Sequence, residues 1–231
     1  MVFLVMLSVY AATSAYAQDE SKHLQELVEL SARRLLIAEQ VALAKWDNGM
    51  PVEDASREHQ VIGSAMKAGQ SKGLDATSVS NFFRAQIEAS KLVQYSLLAE
   101  WRREGRAPDH APVDLASTIR PELDEVDKAL VAELEESKVI RVGASCRTDI
   151  AKAAGKYASA HKKQFGPLKA IALDRALATA CIGRYASLFS STKTTHQAAQ
   201  ALRISKTRKA QGIASRSRHS QYSSRSCVHR K

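Results

Sequence analysis

The sequence predicts an all-α protein, a single-domain bundle of about six helices that is followed by a disordered, basic C-terminal tail. Three observations indicate this class. Apolar residues recur at helical spacing in several long runs. No stretch that alternates apolar and polar residues is long enough to predict a sheet. The chain has 231 residues with 45% apolar content, which is enough to bury a packed core.

The N-terminal segment, residues 1–17, has the pattern of a secretory signal peptide. An apolar run is followed by small residues, and Ala15, Tyr16 and Ala17 form an A-x-A cleavage pattern. No Lys or Arg precedes the apolar run, which departs from the usual pattern, and the alternative is a buried or membrane-anchoring helix. Because the run is short for a bilayer span, we expect an exported protein, periplasmic or secreted, whose mature chain begins near Gln18.

Three long helices are expected next. The first covers residues 21–46, where Leu, Val and Ala recur at helical spacing, and a loop with Gly and Pro ends it. The second begins after Asp54, a residue type that caps helices, and ends near Gly73. The third covers residues 78–102, in which large apolar residues follow the same spacing.

The rest of the folded domain is predicted to be helical as well. A fourth helix is expected over residues 115–142, and two shorter helices over 145–163 and 167–188. The domain would then span residues 18–190. The segment 191–231 is rich in Ser, Arg and Lys and cannot bury enough apolar surface to offset its ordering entropy, so we expect it to be disordered.

The basic character of the chain belongs to this tail. All 24 Asp and Glu residues precede residue 175, whereas the ten Lys and Arg residues in 193–231 equal the whole net charge of +10. Coulomb attraction predicts weak contacts of the tail with anionic surfaces. Tyr222 is its only Phe, Tyr or Trp residue, so the tail has few side chains on which bases could stack. We therefore expect no specific nucleic-acid binding.

The first predicted helix carries two cations on one face. Arg34 and Lys45 are eleven residues apart, which is about three turns, so their side chains share one direction. Either this face is solvated or the two cations await an anion. Ser90 and Gln94 form an i, i+4 pair on the third helix among apolar residues, and Arg57 lies near the start of the second. Taken alone, each side chain is explained as a solvated or snorkelling helix residue, or as a polar group that is exposed or caps the core. Taken together, they predict a pocket for a small polyanion.

The residues for covalent or metal-assisted chemistry do not form a recognisable pattern in the sequence. The seven His residues are scattered, without a Ser/His/Asp or Cys/His arrangement. No C-x-x-C or H-x-x-x-H spacing is present, so no metal site is expected. Such a pocket suits a reaction that needs positioning and charge stabilisation.

The three cysteines fit an exported protein. Cys146 and Cys181 flank a helical stretch and either form a disulfide in an oxidising compartment or remain two buried thiols. A disulfide between them would leave Cys227 unpaired.

Four separated blocks of sequence agree in residue type and order with a known family. They are Arg34, the pair Lys45 and Trp46, the stretch PVEDASRE at 51–58, and the stretch QIEASKLVQYSLLAEW at 86–101. This pattern resembles the all-α chorismate mutases, specifically the secreted gamma subclass, over about residues 20–185. The resemblance implies a cofactor-free Claisen rearrangement of chorismate to prephenate, and a homodimer because relatives form dimers.

The resemblance also implies roles for individual residues. Arg34 would clamp one substrate carboxylate with its guanidinium fork, Lys45 would reach the ether oxygen and a carboxylate, and Gln94 would donate a second hydrogen bond to that oxygen. These three are the expected catalytic residues. A disulfide between Cys146 and Cys181 is implied too.

Five further residues are expected to bind substrate. Glu58, with the backbone near Asp54, would hold the substrate hydroxyl, and Arg57 and Ser90 would complete the pocket around the carboxylates. Arg120 at the head of the fourth helix would supply the remaining cation from the same chain.

Two other functions compete with the enzyme interpretation. One is an exported helical protein that binds an aromatic-pathway anion without turnover, which a turnover measurement distinguishes. The other is a nucleic-acid or envelope-binding module driven by the tail, against which the charge-neutral folded part argues.

Overall fold

A computed structural model describes the backbone of residues 2–183 and the side chains of residues 22–183. Residues 2–183 form seven α-helices and one π-helical turn, and contain no β-strand, which confirms the predicted all-α class. The helices are α1 (Val2–Asp47), α2 (Ala55–Ser71), α3 (Ala76–Glu104), α4 (Arg120–Glu136), α5 (Lys138–Arg141), α6 (Cys146–Ala160) and α7 (Pro167–Leu177), and the π-helical turn is Leu115–Ile119. The tail, residues 191–231 with Cys227, lies outside the described residues, and the signal peptide stays a prediction.

Helix α1 is the centre of the bundle. It packs against α3, α4, α6 and α7, while α2 covers α3 and α4. The apolar residues that recur along α1 face the core, and Leu27, Leu35 and Ala38 are fully buried. Phe82 and Phe83 of α3 lie in the same core. The sequence pattern therefore predicted the buried face of α1 correctly.

Side-chain caps fix where α2 and α3 begin. Asp54 Oδ1 accepts a hydrogen bond from the backbone N–H of Arg57 at 3.1 Å, and Asp75 Oδ2 accepts one from the N–H of Ser78 at 2.7 Å. Helix α3 ends at Gly105, whose φ of 78° is the left-handed conformation that favours glycine. The predicted N-cap of α2 at Asp54 is confirmed.

The predicted fourth helix over 115–142 is wrong in its continuity. A proline in a helix interior removes one backbone donor and clashes with the preceding turn, so α4 starts at Arg120 with Pro121 in its first turn, after the π-helical turn. At the other end, the Ser137 hydroxyl donates to the carbonyl of Glu133 and the chain breaks before α5.

The bounds of the first and last predicted helices also differ from the structure. Helix α1 extends back to Val2 instead of starting at residue 21, and residues 2–47 contain neither Gly nor Pro to interrupt it. Helix α7 ends at Leu177, although a helix was predicted to reach residue 188. Arg141 binds the chain just beyond α7, since its Nε donates to the Ala180 carbonyl at 2.7 Å and its carbonyl accepts from Ile182 N at 2.8 Å.

A disulfide joins Cys146 and Cys181, as predicted, with their Cα atoms 5.9 Å apart. It connects the start of α6 to the segment that follows α7 and closes a sequence separation of 35 residues. None of the helices described is both long and apolar enough to cross a membrane.

Candidate active site

A cavity opens between helices α1, α2, α3 and α4. Every residue predicted as catalytic or substrate-binding from the sequence lines it: Arg34, Lys45, Asp54, Arg57, Glu58, Ser90, Gln94 and Arg120. They come from four helix segments that are far apart in sequence, and the bundle brings them together. Their individual roles remain predictions.

The face of α1 that carries both cations is buried. Arg34 is 4% exposed and Lys45 is 6% exposed, so the interpretation of a solvated face is wrong. Both side chains line the cavity. Because an unpaired buried cation is costly, the cavity must supply acceptors for both, either from the protein or from a ligand.

The acceptors of Arg34 come from two other helices. Its Nε donates to Asp127 Oδ1 of α4 at 2.8 Å, and its Nη1 donates to the backbone carbonyl of Gln86 of α3 at 3.2 Å. Asp127 is not among the residues predicted from the sequence. The available signal was its spacing, since Asp127 lies four residues after Leu123 and three before Leu130, on an apolar helix face.

Lys45 is held at the opposite end of the same face. Its Nζ donates to the backbone carbonyl of Val52 in the loop before α2. Burial lowers the pKa of Lys45 below its ordinary value of 10.5, although the carboxylates of Asp54, Glu58 and Glu53 act in the opposite direction. A bound anion would add to that opposing effect and favour the charged lysine.

An amide and a hydroxyl lie next to each other on α3. Gln94 Nε2 donates to Ser90 Oγ at 3.2 Å, as the i, i+4 spacing predicts. Gln94 is 4% exposed, and its Oε1 is buried without a hydrogen-bond partner among the described residues. Oε1 can therefore accept a hydrogen bond from a ligand, and Nε2 carries a second N–H group that can donate one.

The start of α2 is connected to α4 by two ion pairs. Arg57 Nη2 lies 2.5 Å from Asp124 Oδ1, and Arg120 Nη2 lies 3.2 Å from Asp54 Oδ2. The Arg120 and Asp54 side chains are 35% and 36% exposed, so this second pair is weak and its partners are easily exchanged.

Lys91 is a further cavity residue that the sequence analysis did not single out. Its Nζ lies 2.8 Å from Glu88, 3.0 Å from Glu53 and 3.4 Å from Glu58. Burial alone would lower the pKa of Lys91, but hydrogen bonds to Glu88 and Glu53 outweigh burial and raise it. Lys91 is therefore charged at neutral pH, and one of its partners is the predicted ligand of the substrate hydroxyl, Glu58.

The charges on the cavity wall favour an anion. Five Lys and Arg residues and three Asp and Glu residues line it, together with apolar side chains from all four helices. The lining contains neither His nor Cys. Among the described residues, His, Cys, Asp and Glu side chains form no group of three suited to a metal ion. The arrangement can bind a dianion and stabilise negative charge.

Comparison with known proteins identifies similar chains. The family described as chorismate mutase type II matches residues 25–95, which contain every predicted site residue except Arg120. The secreted chorismate mutase of Mycolicibacterium smegmatis is 30% identical over 71% of this chain and 88% of its own length. The one from Yersinia pestis is 33% identical over 45% of this chain and 54% of its own.

Solved structures show the same similarity. The crystal structure of chorismate mutase from Burkholderia phymatum is 40% identical, covers 71% of this chain and 99% of its own, and superposes with a TM-score of 0.67. Chorismate mutase from Burkholderia thailandensis is 32% identical, covers 69% and 99% of the two chains, and has a TM-score of 0.65.

Proposed function

We propose a residue-level mechanism for this chain, which belongs to the chorismate mutase family. The protein is a chorismate mutase that rearranges chorismate to prephenate, and it is periplasmic or secreted like the relatives that are named secreted mutases. The similarity to enzymes supports this function over binding without turnover. The observation that carries the mechanism is the burial of Arg34, Lys45 and Gln94 around one cavity with an excess of positive charge.

The reaction determines what the cavity must do. Chorismate carries two carboxylates, and its ether C–O bond breaks while a new C–C bond forms, so negative charge builds on the ether oxygen. No proton transfer or covalent intermediate is needed. An acceleration of about a millionfold corresponds to about 8 kcal/mol of preferential transition-state binding. Holding the compact conformer and stabilising that oxygen together supply it.

Lys45 and Gln94 are proposed to act on the ether oxygen. Lys45 is a compact cation whose Nζ is already held by the Val52 carbonyl, so little reorganisation is required when charge develops. Gln94 supplies a neutral N–H donor from α3, on another helix of the same cavity. Ser90, which now accepts from Gln94 Nε2, fixes the amide beside this position.

The arginines are proposed to bind the two carboxylates. Arg34 offers N–H groups beyond those that Asp127 and Gln86 accept. Arg57 and Arg120 have carboxylate partners at the cavity edge, and a substrate carboxylate would compete with these partly exposed partners.

Glu58 is proposed to accept a hydrogen bond from the substrate hydroxyl, near the backbone of Asp54. Lys91 Nζ lies 3.4 Å from Glu58 Oε2 and pairs with the carboxylate that would accept this hydrogen bond. In this arrangement cations meet the substrate carboxylates, hydrogen-bond donors meet the ether oxygen and a carboxylate meets the hydroxyl.

Two further properties belong to this proposal. We infer a homodimer from the family resemblance, and sedimentation at several protein concentrations tests it. We also infer that residues 193–231 bind anionic surfaces weakly. Unchanged retention on heparin after deletion of those residues would contradict this second inference.

Turnover by matched lysine variants tests the proposed function. Lys45→Ala removes the buried cation of the cavity, and Lys67→Ala removes an exposed lysine of α2 that does not line it. We expect the wild type and Lys67→Ala to convert chorismate to prephenate at equal rates, and Lys45→Ala to lose at least about 100-fold in kcat. Equal activity of both variants would refute the role of Lys45.

A further inference from the structure

Asp127 is a buried carboxylate in the wall of a cavity that receives a dianion. It is 9% exposed and lies on the face of α4 that also carries Leu130, which is fully buried. A negative charge in this position opposes the binding of an anionic substrate, since like charges repel more strongly where water is excluded. Asp127 must therefore have a role that offsets this repulsion.

The contact with Arg34 provides the reason. Asp127 Oδ1 accepts from Arg34 Nε at 2.8 Å, while the Gln86 carbonyl accepts from Nη1 at 3.2 Å. A guanidinium is planar and rigid, so acceptors on two of its nitrogens determine both its position and its rotation. No described residue accepts a hydrogen bond from Nη2, and both of its N–H groups remain for a ligand.

The second oxygen of Asp127 indicates the same role. Oδ2 is buried and has no hydrogen-bond partner in the described part of the chain. A carboxylate that served only as a counter-ion would be more stable in a bidentate pair with Nε and Nη2 of the arginine. The observed contact uses one oxygen and Nε alone, and this leaves Nη2 unoccupied.

On the basis of the function proposed above, we propose that Asp127 is a positioning residue for substrate binding. It holds the Arg34 guanidinium in the orientation in which Nη2 meets a substrate carboxylate. Asp127 itself does not bind the substrate. Its effect on the reaction passes through Arg34, and this distinguishes it from a residue that only stabilises the bundle.

The first test compares kcat/KM and KM of single variants with those of a matched control. Asp127→Asn keeps the shape and a weaker acceptor, and Asp127→Leu removes the acceptor. The control is Glu122→Gln, because Glu122 pairs with Arg33 at 3.0 Å between the same two helices and does not line the cavity. We expect kcat/KM to fall about 10- to 100-fold in Asp127→Leu, mainly through KM, and less in Asp127→Asn. Glu122→Gln should stay within about twofold of the wild type.

A double variant in an Arg34→Lys background distinguishes a residue that positions Arg34 from one that only stabilises the fold. Arg34→Lys has no planar fork to orient, so adding Asp127→Asn to it should cause no further loss of kcat/KM. An equal fold-loss in both backgrounds would overturn the proposal, as would unchanged KM in both single variants with only the Tm lowered. If Asp127→Leu does not fold, Asp127→Asn carries both comparisons. If Arg34→Lys has no effect, the proposal is also overturned, because there is then no role of Arg34 for Asp127 to support. If the wild type does not turn over chorismate, the proposed function fails instead.

Discussion

Arg120 Nη2 lies 3.2 Å from Oδ2 of Asp54, so the first residue of α4 contacts the residue that caps α2. This contact closes one side of the cavity within a single chain. Arg120 lines the cavity, and the sequence resemblance predicts that it binds the second substrate carboxylate. Because both side chains are about one-third exposed, the pair is held loosely enough for a substrate to displace Asp54.

Removing Arg120 should weaken substrate binding more than catalysis. A lost charge-assisted hydrogen bond to a carboxylate corresponds to about a tenfold or larger rise in KM. We expect Arg120→Ala to show that rise with kcat changed by less than about threefold, because the ether oxygen is stabilised elsewhere. Arg33→Ala, an exposed arginine outside the cavity, is the control. A loss confined to kcat would contradict this assignment.

A glutamate in place of Gln94 should introduce a pH dependence. The amide donates without being protonated, whereas a carboxyl group donates only in its protonated form. We therefore expect wild-type kcat to vary little between pH 5 and 8, and kcat of Gln94→Glu to fall about tenfold per pH unit above the pKa of the new carboxyl group. Measurements of kcat from pH 5 to 8 for the wild type and the variant test this prediction. A flat profile for the variant would show that position 94 does not donate to the reacting oxygen.

Lys45 should set the alkaline limit of the reaction. Only the protonated lysine stabilises the ether oxygen, and burial lowers its pKa below 10.5, so kcat/KM should decline at a pH below that value. Tyr95 does not account for such a decline, because its hydrogen bond to Glu53 raises its pKa above 10.0. The profile of Tyr95→Phe should therefore match the wild type. A profile that stays flat up to pH 10.5 would contradict the assignment to Lys45.

The disulfide should contribute to stability and not to the chemistry. It closes a sequence separation of 35 residues, for which loop-closure entropy predicts about 3–4 kcal/mol of stabilisation. The cavity lining lies entirely before residue 128, so kcat should be unchanged in a folded Cys146→Ser, Cys181→Ser variant. Urea unfolding and turnover of the same sample test both statements. Wild-type stability of the variant would contradict the first, and a large loss of kcat the second.

The helices and the two polar helix faces could be derived from sequence because they depend on local spacing, whereas the roles of the site residues were implied by the family resemblance. Eleven residues place Arg34 and Lys45 on one face of a helix, and four residues place Ser90 beside Gln94. The same reasoning identified the cap at Asp54. The structure shows that these faces point into one cavity, which the spacing alone does not require.

Features that depend on distant contacts were missed. Asp127 reaches Arg34 across 93 positions of sequence, so no local pattern relates them. The early end of α7 follows the contacts that Arg141 makes with Ala180 and Ile182, again from another part of the chain. The predicted continuity of the fourth helix is wrong for a local reason, because Pro121 is tolerated in the first turn of a helix and not in its interior.

We propose that Arg34 and Lys45 form one anion site in which chorismate rearranges. The most direct measurement is the loss of chorismate absorbance with the purified wild type beside an Arg34→Ala, Lys45→Ala variant shown to be folded by its helical circular dichroism. We predict turnover to prephenate by the wild type and none above the uncatalysed rate by the variant. Turnover by the folded variant at the wild-type rate would contradict the claim and place the reaction elsewhere.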